Sequence, residues 1–342
     1  MKRMWLMILG LLLTVSILAS TEDVYAEARQ ADGTNTVVEL TANEQDGLLI
    51  ATLTGKRLQD VYAYELLLEY DPLRLELVSA RSVLSGFTLE PIREGYQTLI
   101  AHTKIGNVPG VSGDMPLVTL HFKRIRGGDT AVSLTEARLV DSSLALTTLK
   151  LGERYVYSDS RQPAQWVDVA GHWAEQSIRT ALELGYVSGY GDGSFRPDRP
   201  VTRAEFATML ARALLLEAAH NLSFKDSAEI PGWARASVAA SVKSGFIRGY
   251  EDGTFRADRY INRSEIAVMI MRTVTAQPDS QMDLKFTDAA DIPEWAKPSV
   301  RQAVEQGLLQ GKGGNRLAPL AQATRAEAVS LILSMLYKKA GL

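Results

Sequence analysis

Hydrophobic and polar positions follow two different rhythms along the chain. In VYAYELLLEY (61–70), Tyr62, Tyr64, Leu66, Leu68 and Tyr70 alternate with Ala63, Glu65, Leu67 and Glu69. A period of two places one set on the buried face of a β-strand and the other on its opposite face. Short runs of the same kind, TVVELTA, GLLIATLTG, LRLELVSA, QTLIAHT and PLVTLHFKR, are broken by Gly, Pro, Asn and Asp. No helix-length amphipathic stretch interrupts them, so residues 35–152 are expected to form an all-β sandwich.

From residue 166 the apolar spacing changes to three and four. Ile178, Ala181 and Leu182 predict one helix, ending before Gly185, and Phe206, Met209, Leu210, Ala213 and Leu214 predict a second. The second stripe returns as Ala328, Leu331, Ile332, Met335 and Leu336. Trp173, Trp233 and Trp295 are separated by 60 and 62 residues, and Arg203, Arg263 and Arg325 repeat those intervals. Self-similarity at a near-fixed period divides the region into units at 166–216, 224–275 and 286–340, with linkers at 153–165 and near 215–223 and 275–285. Each unit reads aromatic-x-Asp, a Trp-led helix, Gly, a glycine-rich turn and a second helix. Two short helices cannot bury such stripes alone, so the three copies are expected to pack on one another.

The second helices begin with a capping box. In VTRAEFATML (201–210), Thr202 and Glu205 stand three apart ahead of an apolar run, and the pattern recurs in NRSE (262–265) and TRAE (324–327). The arginine inside each box is not explained by capping, because a cation in the first helical turn opposes the macrodipole. A helix N-terminus with an arginine fork suits a carboxylate or phosphate. The other reading is an ion pair within the repeat, to Asp168, Asp192 or their equivalents.

Lys2 and Arg3 precede an apolar run from Trp5 to Leu18, and small residues follow at Ala26 and Ala28. This is the form of an export signal over residues 1–28, cleaved after Ala26 or Ala28. The run falls short of the roughly 20 apolar residues of a spanning helix, so no transmembrane segment is expected after cleavage. The chain has no cysteine, which excludes disulfides, thiolate catalysis and Cys-ligated metals. A net charge of −3 speaks against a nucleic-acid partner.

Three stretches carry a family resemblance: FxD…W, LGYVSGYGDGSFRPDRPVTRAEFA and SGFIRGYEDGTFRADRYINRSEIA. They resemble consecutive S-layer homology repeats, over about half the chain. The resemblance implies an exported protein held non-covalently on a secondary cell-wall polysaccharide, often one bearing pyruvate ketals, in a Gram-positive-type envelope. It also implies a pseudo-threefold all-α spindle with ligand grooves between repeats. YELLLEYDPLRLELVSA and SGDMPLVTLHFK resemble, more weakly, parts of a cohesin, a β-sandwich (jelly roll) that binds dockerins. That likeness implies an adaptor recruiting a dockerin-bearing or other surface protein. The alternative is a structural or carbohydrate-binding envelope module with no dockerin partner.

With the family resemblance, Arg203, Arg263 and Arg325 become candidates for binding the acidic substituent of the wall sugar. Trp173, Trp233 and Trp295 are core residues or apolar platforms for a sugar ring. Asp168, Asp226 and Asp288 cap a turn or helix, or accept from sugar hydroxyls. Gly189 and Gly249 are turn residues, or let a saccharide approach the backbone. Copy three departs from the pattern, because Lys312 stands for Tyr190, Gly314 for Asp192 and Leu317 for Phe195. Its groove is expected to be degenerate or to bind differently, and Lys312 to supply charge or to be a solvated residue.

Catalysis is not expected. His102 and His121 sit singly on predicted strands, and no G-x-S-x-G elbow is present. Glu65 and Glu69 share a face but lie about 13 Å apart along a strand, too far for the roughly 5–9.5 Å of a glycosidase pair. GDGSFRPD lacks the order of acidic ligands of an EF-hand, so neither a metal nor a cofactor is expected.

Overall fold

The computed structural model describes residues 36–157, 166–274 and 282–342. The expected leader at 1–28, most of the 153–165 linker and residues 275–281 lie outside the described residues.

The β region comprises β1 (Val37–Gln45), β2 (Leu48–Tyr70), β3 (Leu75–Ser82), β4 (Phe87–Thr88), β5 (Ile92–Glu94), β6 (Gln97–Thr103), β7 (Val111–Arg124), β8 (Thr130–Asp141) and β9 (Leu146–Tyr157). All nine join one antiparallel sheet. The pattern GLLIATLTG…VYAYELLLEY predicts two strands, but the chain forms a single 23-residue β2. Straight, such a strand would span about 75 Å at ~3.3 Å per residue. It is bent instead by register shifts against β7 at Leu53/Thr54, Gly55/Leu58 and Leu58/Val61, with Arg57 and Asp60 at positive φ. Before the bend β2 pairs with β1 and β7, and after it with β6 and β8. The expected two layers are therefore one sheet folded over on β2. Leu53, Tyr64, Leu66, Ile100, Phe122 and Val132 fill the single core between its halves. The alternation read from the sequence holds, with Tyr62, Tyr64, Leu66, Leu68 and Tyr70 all buried. β9 continues to Tyr157, into the segment read as a linker.

The second region pairs a first and a second helix in each repeat: α1 (Glu175–Glu183) with α2 (Arg203–Ala213), α3 (Gly232–Lys243) with α4 (Arg263–Met271), and α5 (Lys297–Glu305) with α6 (Arg325–Ala340). Packing runs between repeats. The first helix of each repeat lies on the second helix of the preceding one, α3 on α2 and α5 on α4, and α1 closes the cycle on α6. α6 also touches α2 and α4. One apolar core, including Ile178, Phe206, Val238, Ile266, Val300 and Ile332, is shared by all three repeats. This is the mutual burial that two-helix units require.

The two regions touch. Leu73, in the loop between β2 and β3, belongs to the helical core. Arg126, nearly buried, donates to the carbonyls of Leu73 at 2.6 Å and Ala213 at 2.5 Å. Arg74 joins Asp71 of its own loop to Glu183 of α1. The Tyr-Asp-Pro stretch noted in the sequence thus serves as the seam between the domains.

Candidate ligand grooves between the repeats

The capping boxes form as the sequence predicts. Thr202, Asn262 and Thr324 accept from the N–H of Glu205, Glu265 and Glu327, and each glutamate accepts in return from the cap N–H at 2.8–3.0 Å. The remaining helix-end donors are taken by another repeat. Arg203 N–H donates to Arg259 O, Arg263 N–H to Ala321 O and Arg325 N–H to Arg199 O; the next residues, Ala204, Ser264 and Ala326, donate to Ala257, Pro319 and Pro197. One residue outside the caps, the ring closes on itself: Val201 donates to Ala323, Ala323 to Ile261 and Ile261 to Val201. The first N–H groups of the three helices are therefore all satisfied within the protein.

The arginine side chains continue this interlock. They are buried, with Arg203, Arg263 and Arg325 at 4%, 6% and 6% exposure. Arg203 donates to Arg248 O of repeat two, Arg263 to Leu317 O and Gln310 O of repeat three, and Arg325 to Phe195 O and Ser188 O of repeat one. Pairing with Asp168 or Asp192 does not occur. The charge is compensated in two ways. Arg203 lies over the rings of Tyr250 (4.7 Å) and Phe255 (5.1 Å), and Arg325 over Phe195 (4.6 Å) and Tyr190 (5.1 Å). Arg263 faces Leu317 and Lys312 in place of those aromatics, and pairs with Glu327 at 2.9 Å. Burial lowers the pKa of all three guanidinium groups.

The three aspartates hold the loops that receive these arginines. Asp168 accepts from the N–H groups of Phe195 and Arg196, Asp226 from Phe255 and Arg256, and Asp288 from Leu317 and Ala318. Arg196, Arg256 and Ala318 sit at φ of 57°, 59° and 53°, a conformation that the paired acceptors help to fix. Burial raises the Asp168 pKa, but the two N–H donors outweigh it and hold the carboxyl below its ordinary range. Gly189 and Gly249 serve packing: a Cβ on Gly189 would meet the Trp166 ring at 2.0 Å, and one on Gly249 would meet Phe224 at 2.5 Å. That side of each glycine is closed to a ligand.

The tryptophans are the exposed members of the set. Trp173, Trp233 and Trp295 are 66%, 58% and 59% exposed, far from core behaviour for so large an apolar side chain. Trp173 borders an open groove of about 520 Å³ to which all three repeats contribute, including Arg263, Lys312, Glu327 and Ser330.

A polar cluster lies beside each arginine, and of its members the sequence singles out only Lys312 and the cap glutamates. In repeat one, Arg199 donates to Tyr190 Oη and to Glu205 Oε1 at 2.8 Å. In repeat two, Arg259 makes the same contacts to Tyr250 and Glu265, and Tyr250 Oη donates to Glu265 at 2.6 Å. In repeat three, Ala321 occupies the arginine position and Lys312 the tyrosine position, and Lys312 Nζ pairs with Glu327 at 2.8 Å. The paired exchange of Tyr and Arg for Lys and Ala is the sequence signal that marks the cluster.

Comparison with known proteins agrees with the division into three repeats. The family model described as "S-layer homology domain" matches residues 167–207, 223–267 and 285–329. A cellulosome-anchoring protein of Acetivibrio thermocellus is 35% identical over 39% of this chain and 30% of its own length. A surface-layer 125 kDa protein of Lysinibacillus sphaericus is 29% identical over 45% of this chain and 13% of its own. The chain thus spans less than a third of these relatives. Among solved structures, a cohesin module from a Clostridium perfringens family 33 glycoside hydrolase aligns with 22% identity and a TM-score of 0.31, covering 36% of this chain and 96% of that one. The interlocked units at 167–207, 223–267 and 285–329 are three S-layer homology domains, carried on one chain behind a β-rich domain.

Proposed function

We propose that the chain is a non-covalent anchor on the bacterial cell surface, held by its three repeats on an acidic secondary cell-wall polysaccharide. The observation that carries this reading is a solvent-exposed tryptophan at the same place in each repeat, one of them bordering a groove lined by Arg263, Lys312 and Glu327. An exposed indole beside a polar groove offers an apolar face to a sugar ring and charge to its substituents. Arg203, Arg263 and Arg325 give the grooves positive potential while locking the repeats, and Asp168, Asp226, Asp288, Gly189 and Gly249 shape the loops. A pyruvate ketal supplies a carboxylate of the kind such a groove attracts.

Replacing the arginines would damage the interlock, so the tryptophans are the informative sites. Changing Trp173, Trp233 and Trp295 together to Ala is expected to abolish co-sedimentation of the full chain with purified walls and to leave the far-UV CD spectrum unchanged. Retained co-sedimentation would overturn the reading. Removing the ketals from the walls is expected to weaken binding of the unaltered chain.

The β-rich domain, in the same reading, presents a surface for a protein partner of the dockerin type, as its sequence resemblance suggests. Use of the Tyr-Asp-Pro loop as an interdomain seam favours a second reading, in which this domain is a structural extension of the anchor. Calorimetric titration of the chain with a Ca²⁺-loaded dockerin separates the two.

A further inference from the structure

The second helices begin and end differently. Their first N–H groups are satisfied within the ring of repeats. At the C-termini of α1, α2 and α6 a partner comes from the β-rich domain, and each time an arginine meets the last residue of a helix. Arg126, in the loop between β7 and β8, donates to Ala213 O at the end of α2. Arg93, on β5, donates to Ala340 O at the end of α6, at 3.2 Å. Arg74, in the loop between β2 and β3, pairs with the carboxylate of Glu183 at the end of α1, at 2.7 Å. The last carbonyls of a helix have no intrahelical partner and lie at its negative pole, so a cation from outside suits them. The chain just beyond α4 is met from within the ring instead, by Lys339 Nζ on Thr273 O.

We propose that this end of the ring is a docking site for the chain's own β-rich domain, and that Arg74, Arg93 and Arg126 hold the sandwich there as one rigid body with the repeats. Domains joined through a linker move relative to one another by default, and three features oppose that here. Arg126 is nearly buried, and both of its acceptors, Leu73 O and Ala213 O, lie at the seam; withdrawing the domain would break the Ala213 bond of a buried cation. Leu73 packs into the core of the helical region, so the contact is apolar as well as ionic. The backbones also approach closely where no side chain intervenes. A Cβ on Gly95 would meet Gly341 O at 3.1 Å, and one on Gly128 would meet Arg74 Nε at 2.9 Å and Glu183 Cβ at 3.3 Å. Both glycines are at positive φ, 60° and 89°, so turn and close approach call for the same residue.

The docking gives the molecule two unlike ends. α1 starts two residues after Trp173 and reaches Glu183 after nine residues, about 14 Å at ~1.5 Å per residue. α6 starts at Arg325, which is locked into repeat one, and reaches Ala340 after sixteen residues, about 24 Å. Trp173 and the capping boxes of α2 and α6 therefore lie at one end of these helices and the sandwich at the other. With a wall polymer held at the Trp173 end, the sandwich projects away from it in a fixed direction. The docking itself is independent of what the grooves bind.

The test uses the full chain with a protease recognition sequence placed within residues 158–165, between the two domains. After cleavage, the halves of the otherwise unaltered chain are expected to co-elute in gel filtration at low micromolar concentration. Arg126→Met and Glu183→Arg are each expected to weaken that association at least about tenfold, the scale of one lost charge-assisted hydrogen bond. Trp173→Ala, at the other end of α1, is expected to leave it unchanged. Before cleavage, small-angle scattering is expected to show one compact particle for the unaltered chain and a longer one for the Arg126→Met, Glu183→Arg double variant. Unchanged melting temperatures of the separated halves exclude misfolding as the cause of a loss. Separation of the unaltered halves on cleavage, or variants that associate as tightly as the unaltered chain, would overturn the docking. Co-sedimentation of the uncut chain with walls reports separately on anchoring, so either reading can fail alone.

Discussion

Arginine at the first position of a helix is electrostatically disfavoured, yet Arg203, Arg263 and Arg325 hold that place in every repeat. Their recurrence was legible in the sequence; their partners were not, because the accepting carbonyls belong to another repeat, on loops whose shape no local pattern encodes. The tryptophans show the reverse. Taken singly each reads as core, and only the fold shows the ring facing solvent. His102 is a third case, since a lone histidine on a strand gave no hint of its surroundings. It is buried against Tyr64, with Nδ1 2.8 Å from Thr88 Oγ1. Burial lowers its pKa against the opposing pull of the Ser85 backbone. Because the unfolded chain takes up this proton near pH 6.5 and the folded chain resists it, stability is complete above that value and falls as pH drops below it. Urea denaturation is expected to show a loss between pH 7 and pH 5 that approaches at most about 1.4 kcal/mol per pH unit. His102→Gln is expected to be less stable at pH 7 but to flatten that slope. An unflattened slope would place the proton uptake elsewhere.

Helix starts were the best-determined elements in the sequence, because a capping box is a local device that needs only residues three apart. The β2 strand was the poorest: GLLIATLTG and VYAYELLLEY read as separate runs, and only pairing with β7 on one side of the bend and β6 on the other makes the residues between them a bulged continuation. Even within the boxes, what the glutamate does depends on the fold. Glu327 accepts from Thr324 N–H, pairs with Arg263 and pairs with Lys312. Removing the cap alone with Thr324→Ala is expected to cost about 1 kcal/mol. Glu327→Gln leaves the Arg263 charge buried without its counterion and is expected to cost about 3 kcal/mol. Chemical denaturation of the two variants gives the order directly; a Thr324→Ala loss equal to or above that of Glu327→Gln would show that the inter-repeat pair contributes little.

Across the molecule, the period of the repeats announced three similar units, and the pattern alone would equally allow an open stack in which each unit contacts only its neighbours. The hydrogen bonds decide for a closed cycle: Val201, Ile261 and Ala323 each donate to one of the others, and α1 of the first repeat lies on α6 of the last. The two topologies differ in what happens when a unit is lost. An open stack keeps most of its stability, since it is a sum of unit and nearest-neighbour contributions. A cycle loses two interfaces at once. Deleting residues 282–342 would strip α1 of its packing partner, leave Val201 N–H and Arg263 N–H without acceptors, and expose Ile178 and Ile266 of the shared core. A fragment of residues 160–281 is therefore expected to show no cooperative thermal transition by CD, whereas residues 160–342 melt in one. A sharp transition in the shorter fragment would mean that the first two repeats form a stable pair and that the third is an addition to it rather than the closing member of a ring.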